Sequence, residues 1–267
     1  MMNMRFAVFY MSKITQTVTS VCDYLKSCDC DVVLKECCDC ADIEMCDAIV
    51  AVGGDGTILH TAKIACMSNK PIIGINSGHL GYLAELEPNE IELINNVVNG
   101  NYTIEKRLLI RVSFEKSDES FLVLNDAVIQ RTPMSSILNI TVSNDYKPFL
   151  NVKADGMIFA TPTGSTAYSM SAGGPIVDHS IDGIIVTPIC AHSLFDRPLV
   201  LNGNTKLNIK ATARTPDYPI YLTVDGEKNI LLPEDEIIHI SVDREHHADF
   251  IKIKHDSFYS VLRNKMI

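Results

Sequence analysis

No apolar run in the chain reaches the ~18 residues that a membrane-spanning helix needs, so no transmembrane segment is expected. Basic residues are in deficit: 23 Lys and Arg stand against 33 Asp and Glu, for a net charge of −10. Such a surface repels nucleic-acid phosphates over most of its area, which argues against a nucleic-acid partner. The Walker pattern with its lysine is missing, which excludes the P-loop kinases. There is no G-x-G-x-x-G, and no G-x-S-x-G of a serine hydrolase. Met1 to Met11 holds Arg5 and a short apolar run but lacks a small-residue cleavage site. No signal peptide is expected, and the expected location is cytoplasmic. Internal repeats, low-complexity segments and a disordered linker are also missing.

Cysteine, in contrast, is abundant. Nine are present, and seven of them (Cys22, Cys28, Cys30, Cys37, Cys38, Cys40 and Cys46) fall in one stretch. Cys37 and Cys40 have C-x-x-C spacing, but no second such pair and no nearby histidine completes a tetrahedral metal site. The odd total argues against a fully paired set. Reduced thiols are the expectation, and no protein metal site is assigned.

With 46% hydrophobic residues, the 267-residue chain has material for a full core and for two modest domains. Its first part alternates strands with helices. Arg5 to Tyr10, Asp31 to Leu34, Ala48 to Val52 and Lys70 to Ile75 read as strands. A helix capped by Ser12 carries Val18, Val21, Cys22 and Leu25 at helical spacing, and a second spans Asn89 to Val98 before Gly100. Strand–helix alternation predicts a parallel, Rossmann-like sheet with ligands at the carboxyl ends of its strands. From about Asn101 the period falls to two. Ser120 to Gln130, and segments around Leu138, Leu207 and Ile220, read as strands, with hairpin turns at Asn144-Asp145 and Asp225-Gly226. The predicted organisation is an α/β domain over 1–100 and a mostly-β domain over 101–255. The tail, 256–267, is expected to pack back on the first.

The third strand breaks into Gly53-Gly54-Asp55-Gly56-Thr57, and a helix that Thr57 is expected to cap runs to about Met67. Strand, glycine turn and helix aim backbone N–H groups and a positive helix end at a phosphate. The single acid is the odd member. A carboxylate beside an anion site is unfavourable unless a metal or a reacting hydroxyl needs it, which points to phosphoryl transfer. Two further polar elements stand out. Asn125-Asp126 interrupts an apolar strand, read either as a bulge or sheet edge or as an amide and carboxylate for a ribose diol or adenine. Asp155-Gly156 leads to Thr161-Pro162-Thr163-Gly164-Ser165-Thr166-Ala167-Tyr168, then Ser171, Gly173, Gly174 and Pro175. Seven of the eight residues 161–168 are hydroxylated, glycine or proline. They read as a tight loop with donors and acceptors for a nucleotide, or as a plain Ser/Thr turn capping a helix.

Together these elements resemble the ATP-NAD kinases. So do Gly78-His79-Leu80-Gly81-Tyr82, Arg107-Leu108-Leu109, Arg197-Pro198-Leu199 and the tail Ser257 to Lys265, so the likeness spans nearly the whole chain. The glycine-aspartate turn alone is shared with diacylglycerol-kinase-like lipid kinases and phosphofructokinases; the Thr161–Tyr168 segment is not. The resemblance implies an α/β domain followed by a β-sandwich-like domain, with the site in the cleft between them. It implies a kinase that moves the terminal phosphoryl group of ATP to the 2′-hydroxyl of the adenosine ribose of NAD, giving NADP. Mg²⁺ would accompany the ATP, inorganic polyphosphate is an alternative donor, and a homo-oligomer, dimer or tetramer, is expected. The alternatives are a lipid or sugar kinase sharing the glycine turn and a non-catalytic NAD(P)-sensing module.

The resemblance also assigns roles. Asp55 is the proton acceptor. Gly53, Gly54, Gly56 and Thr57 lie against the nucleotide, and His60, one helical turn on, reaches a phosphate. Asn125 and Asp126 hold the adenosine part, and Lys153 and Asp155 contact the far part of the dinucleotide. Thr166, Ala167, Tyr168, Ser169, Met170 and Ser171 line the adenine pocket, with Tyr168 a stacking surface. Glu227 is a candidate ligand after the Asp225-Gly226 turn. Three positions depart from the family pattern: Asp126 where Glu is usual, Lys153 where Arg is usual, and Glu227 where Gln is usual. Lysine at 153 loses the fork-shaped phosphate contact of arginine.

Overall fold

A computed structural model describes residues 3–37, 43–78, 81–132, 136–193, 196–213, 218–254, 258–259 and 262–263. Cys38, Cys40, His79, Leu80 and most of the tail Ser257 to Lys265 lie outside these. The chain divides into two compact units, one of residues 1–107 with 246–267 and one of 108–245.

The first unit is an α/β layer structure. In chain order it holds β1 (Arg5–Tyr10), α1 (Gln16–Ser27), β2 (Asp31–Glu36), β3 (Ala48–Gly53), α2 (Asp55–Met67), β4 (Ile72–Asn76) and, after a 3-10 segment at Pro88–Ile94, α3 (Asn95–Val98). The sheet order is β2-β1-β3-β4, and all pairs are parallel. β1, β3 and β4 are almost wholly apolar because both faces are covered. On one face Phe6, Val8, Val50, Val52, Ile73 and Ile75 pack with Val18, Val21 and Leu25 of α1 and with Ile91, Ile94 and Val97.

Three boundaries differ from the sequence reading. Thr15, not Ser12, caps α1; its hydroxyl accepts the Val18 N–H at 3.3 Å. α2 begins at Asp55, with Gly54 as its cap, so Thr57 already lies inside the helix and is buried. A glycine cap needs no side-chain oxygen, and the apolar face extends back to include Thr57. Asn89 to Val98 is not one α-helix. Ile91, Ile94 and Val97 recur every three residues, which aligns them along a 3-10 helix. Its start is fixed by a capping box between Glu87 and Glu90.

The second unit is mostly β. β5 (Thr103–Phe114) leads into it, followed by β6 (Ser120–Val123), β7 (Asp126–Arg131), β8 (Leu138–Asn144), β9 (Lys147–Ala154) and β10 (Gly156–Ala160). A 3-10 turn at Thr163–Thr166 and the short α4 (Tyr168–Ser171) come next. The remaining strands are β11 (Gly183–Ile189), β12 (Leu199–Asn202), β13 (Leu207–Ala213), β14 (Ile220–Val224), β15 (Lys228–Leu231) and β16 (Ile237–Lys252), whose end pairs parallel to β4 through Phe250 and Ile72.

One sheet has the order β12-β11-β10-β7-β14-β15, antiparallel throughout. The other orders β16-β13-β8-β9. Residues 127, 129, 157, 159, 184, 186, 222 and 224 of the first sheet meet Ile140, Val142, Val152, Ile209 and Ile240 of the second in one core. Their neighbours Val128, Ile158, Ala160 and Ile185 face the other way, into a smaller cluster with Val177. The segment after β10 thus roofs the outer face of the central strands, which explains why β10 is buried at every position.

The strand expected over Ser120 to Gln130 is broken at Leu124-Asn125 into β6 and β7. The turn expected at Asn144-Asp145 falls one residue later: Asn144 still pairs with Lys147, and Asp145 and Tyr146, both at positive φ, form the two-residue loop.

Candidate active site

At the carboxyl end of β3 the chain turns through Gly53 and Gly54 into α2, the N-terminus of which carries Asp55. The first intrahelical bond runs from Ile58 N–H to the Gly54 carbonyl at 3.1 Å. The N–H groups of the preceding turn therefore have no partner within the helix, the arrangement that favours an anion at this end. Asp55 is half-buried. Its Oδ2 accepts the Tyr82 N–H at 2.8 Å and its Oδ1 the Leu83 N–H at 3.1 Å. Two amides from the chain after β4 thus fix the carboxylate, and each oxygen keeps a lone pair for a further donor. Gly81 makes this possible, since a Cβ there would stand 2.0 Å from Asp55 Oδ1. His60 Nε2 lies 2.9 Å from the Cys37 carbonyl, so that nitrogen donates and ties α2 to the end of β2. Gly53, Gly54, Asp55, Gly56, Thr57 and His60 all fall on this one end of the first unit.

The second unit gathers the other predicted residues around the break between β6 and β7. The Asp225 carboxylate, buried at the β14–β15 turn, accepts three successive amides: Leu124 at 3.1 Å, Asn125 at 2.7 Å and Asp126 at 3.2 Å. Asp225 and Gly226 both have positive φ, as the turn requires. Against the other side of the break, the Thr161 hydroxyl donates to the Leu124 carbonyl at 2.5 Å and accepts the Gly164 N–H at 3.1 Å. Only glycine fits at 164, where a Cβ would lie 2.0 Å from the Asn125 carbonyl oxygen.

Asp126 is 5% exposed. Burial, then the nearby Asp225 carboxylate, pushes its carboxyl up to about 7, and the Tyr168 amide N–H pulls the other way. Asp126, which the sequence sets far from Tyr168, is therefore linked to α4 by that amide.

Several hydroxyls of the Thr161–Ser171 segment are spent within the protein, on the segment itself and on its neighbours. Ser165 bonds the Pro162 and Val177 carbonyls, Thr166 the Thr163 carbonyl, and the buried Ser169 bonds Thr187 at 2.8 Å. Tyr168, Met170 and Ser171 are exposed, while Thr166 and Ala167 are half-buried. The Tyr168 ring shares a cleft of about 220 Å³ with Asp155, Gln130, Arg131, Thr132 and Ile189. Arg131 Nε donates to Asp155 Oδ1 at 2.6 Å. Lys153 is not part of that cleft. It lies exposed on β9 and lines a separate one of about 320 Å³ with Leu138, Asn139 and Thr212. Glu227 is exposed just past the turn, its N–H bonded to the Val224 carbonyl at 3.0 Å.

Sequence reasoning did not find Arg131, the Tyr82 and Leu83 amides, or the role of Asp225. Arginine closing a strand and aspartate opening a hairpin turn are ordinary local features, and neither signals its distant partner.

The described cysteines Cys22, Cys28, Cys30, Cys37, Cys46, Cys66 and Cys190 form no disulfide. Burial pushes the thiols of Cys22, Cys30 and Cys46 up, which keeps them protonated and poor ligands. Among the described residues no group of three or more His, Cys, Asp or Glu is poised for a metal ion, and no helix is long and apolar enough to cross a membrane.

Residues 4–102 match the family model for the ATP-NAD kinase N-terminal domain, and residues 124–253 the model for the C-terminal domain. A curated NAD kinase of Clostridium botulinum (strain Loch Maree / Type A3) is 42% identical over 223 residues, covering 82% of this chain and 78% of that protein. The chain belongs to the ATP-NAD kinase family. Another relative, an NAD kinase of Thermoanaerobacter sp. (strain X514), is 38% identical over 226 residues with the same coverage. Among solved structures, an NAD kinase from Archaeoglobus fulgidus in complex with ATP is similar with a TM-score of 0.79 and 28% identity, covering 98% of this chain and 97% of that one. A yeast NADH kinase complexed with NADH shares the fold, with a TM-score of 0.82 at 22% identity, over 99% of this chain and 88% of that one. The ATP-NAD kinase assignment makes the chain a phosphotransferase, and its two-part fold, α/β then mostly β, is that of the family's solved structures.

Proposed function

We propose that this kinase transfers the terminal phosphoryl group of ATP to the 2′-hydroxyl of the adenosine ribose of NAD, giving NADP. The observation that carries the reading is the carboxylate of Asp55, held by two backbone amides at the N-terminus of α2. A phosphate receptor alone is better without an acid there. A hydroxyl to be phosphorylated needs one.

Asp55 orients the attacking hydroxyl through its spare lone pairs and takes the proton late. A carboxylate is far less basic than an alkoxide, so full deprotonation before attack is beyond it; a loose transition state does not demand it. The first-turn N–H groups of α2, in line with Gly54 to Thr57, bind the phosphoryl oxygens as their charge redistributes. Mg²⁺ fits this arrangement as an ion carried mainly by the triphosphate, since Asp55 supplies one carboxylate and no three-ligand cluster stands among the described residues. When bound, it neutralises charge on the transferring phosphate.

Asn125 and Asp126 hold the adenosine part. A carboxylate at 126 accepts from a ribose hydroxyl or the adenine amino group. Tyr168 stacks on the base, and Asp155 serves the far part of the dinucleotide. Ser169 acts from behind, by fixing α4 to Thr187.

Incubation of the protein with NAD, ATP and Mg²⁺, followed by a coupled assay specific for NADP, tests the reading. NADP is the expected product. Phosphorylation of a lipid or a sugar instead, or binding of NAD without turnover, contradicts it.

A further inference from the structure

We infer that Asp225 is a positioning residue for the dinucleotide: its carboxylate, threaded by three successive amides, holds the β6–β7 break in the one arrangement that lets Asn125 and Asp126 act together. The inference rests on the NAD-kinase reading above and extends it to a residue that acts through its neighbours on β6 and β7.

Three features support it. Asp225 lies 99 to 101 residues along the chain from the amides it binds, so the contact is a tertiary clamp and not a local turn bond. The clamp is reciprocal, because the Asp225 N–H donates to the Asp126 carbonyl at 2.9 Å. It is also more than a hairpin needs. The β14–β15 turn already closes through the Glu227 N–H and the Val224 carbonyl at 3.0 Å, without the Asp225 side chain. The side chain serves the neighbouring strand. On that strand it replaces the ladder bonds that the break at Leu124-Asn125 removes, while the Thr161–Gly164 turn seals the other side.

The placement has an electrostatic consequence. Three elements pack around Asp126. The β14–β15 turn brings the Asp225 carboxylate, α4 brings the Tyr168 amide, and β10 brings Ala160, which is neutral. Its chain neighbours Asn125 and Ala127 carry no charge. Burial does most to hold Asp126 protonated, Asp225 is the charged group that adds to it, and conversion to the carboxylate falls near neutral pH. A carboxylate at 126 is the better acceptor for a donor on the adenosine, so NAD affinity rises as pH increases through about 7.

Calorimetric titration of the intact protein with NAD from pH 5.5 to 8.5, beside steady-state kinetics with ATP and Mg²⁺, tests the role. Asp225→Asn keeps an acceptor oxygen and removes the charge. Its NAD-affinity midpoint is expected about one pH unit or more below wild type. Asp225→Ala removes the acceptor and is expected to weaken NAD binding about tenfold. Its KM for ATP should stay within about threefold, and the Asn variant should recover most of the NAD affinity. Equal losses for NAD and ATP, or an unmoved midpoint, overturn the inference. Should either Asp225 variant fail to fold, Asp126→Asn decides: it is expected to flatten the pH dependence of NAD binding, and a surviving step near pH 7 overturns the inference. Absence of NADP from the wild-type assay would instead count against the functional reading, while NAD calorimetry still judges Asp225.

Discussion

Asp126 has a carboxyl whose chemistry departs far from that of its free side chain. Its folded-state carboxyl is raised to about 7, well above the ordinary aspartate value. The folded protein then holds a proton that the unfolded chain has released. Its contribution to stability is complete below pH ~4 and is lost as pH rises through about 7. Asp126→Asn mimics the protonated side chain at every pH and can still accept the Tyr168 N–H. Thermal melts should show the variant level with wild type near pH 4 and more stable at pH 8, by on the order of 2–4 kcal/mol. Equal melts at pH 8 would mean that the buried carboxylate costs nothing. The sequence showed an acid inside an apolar strand, and that much was legible. The second acid that raises it stands about a hundred residues away, and no local pattern announces it.

At the scale of elements, the glycine turn into α2 separates the needs of folding from those of binding. A Cβ at Gly56 would meet nothing within 4 Å, whereas one at Gly81 would overlap the Asp55 carboxylate. Gly56→Ala should therefore stabilise the protein by roughly 0.5–1 kcal/mol, through helix propensity, yet lose turnover because the methyl stands where the phosphates approach. Gly81→Ala should lose turnover and stability together, the latter by about 1–3 kcal/mol, as the Asp55 carboxylate is pushed off its two amides. Chemical denaturation alongside the NADP assay separates the two. A Gly56→Ala protein that is both stabler and fully active would remove the phosphate from this turn. Strand β3, its glycines and α2 were all visible as a buried run, a punctuation and a periodic stretch. The exact start of α2 was not, because Thr57 has the chemistry of a cap but the position of a core residue.

At the scale of the whole molecule, the chain leaves its first unit along β5 and returns to it along β16. The period of the sequence drops near residue 100, whereas the division of the chain falls at Arg107 and Leu108. The return carried no such mark, since β16 reads as one more strand of the second unit. Within the first unit Glu85 secures that return. It is buried, accepts the N–H groups of Ile253 and Lys254, both at 2.8 Å, and pairs with Lys252. Glu85→Ala leaves these groups unanswered and is expected to cost about 3 kcal/mol or more. Hydrogen exchange should quicken over residues 250–254 and remain slow in β10 and β11. Unchanged protection at 250–254 would show that pairing with β4 holds the segment unaided. Contacts such as these join residues more than 160 positions apart, which is why composition and periodicity could suggest two units but not how the chain closes the first.

The central claim is that Asp55 serves the hydroxyl that receives the phosphate. Single-turnover rates of NADP formation by wild type and Asp55→Asn, with NAD affinity measured on both, test it most directly. The variant should bind NAD within a few-fold of wild type and lose about 10²–10⁴ in rate. A variant that turns over at the wild-type rate would contradict the account.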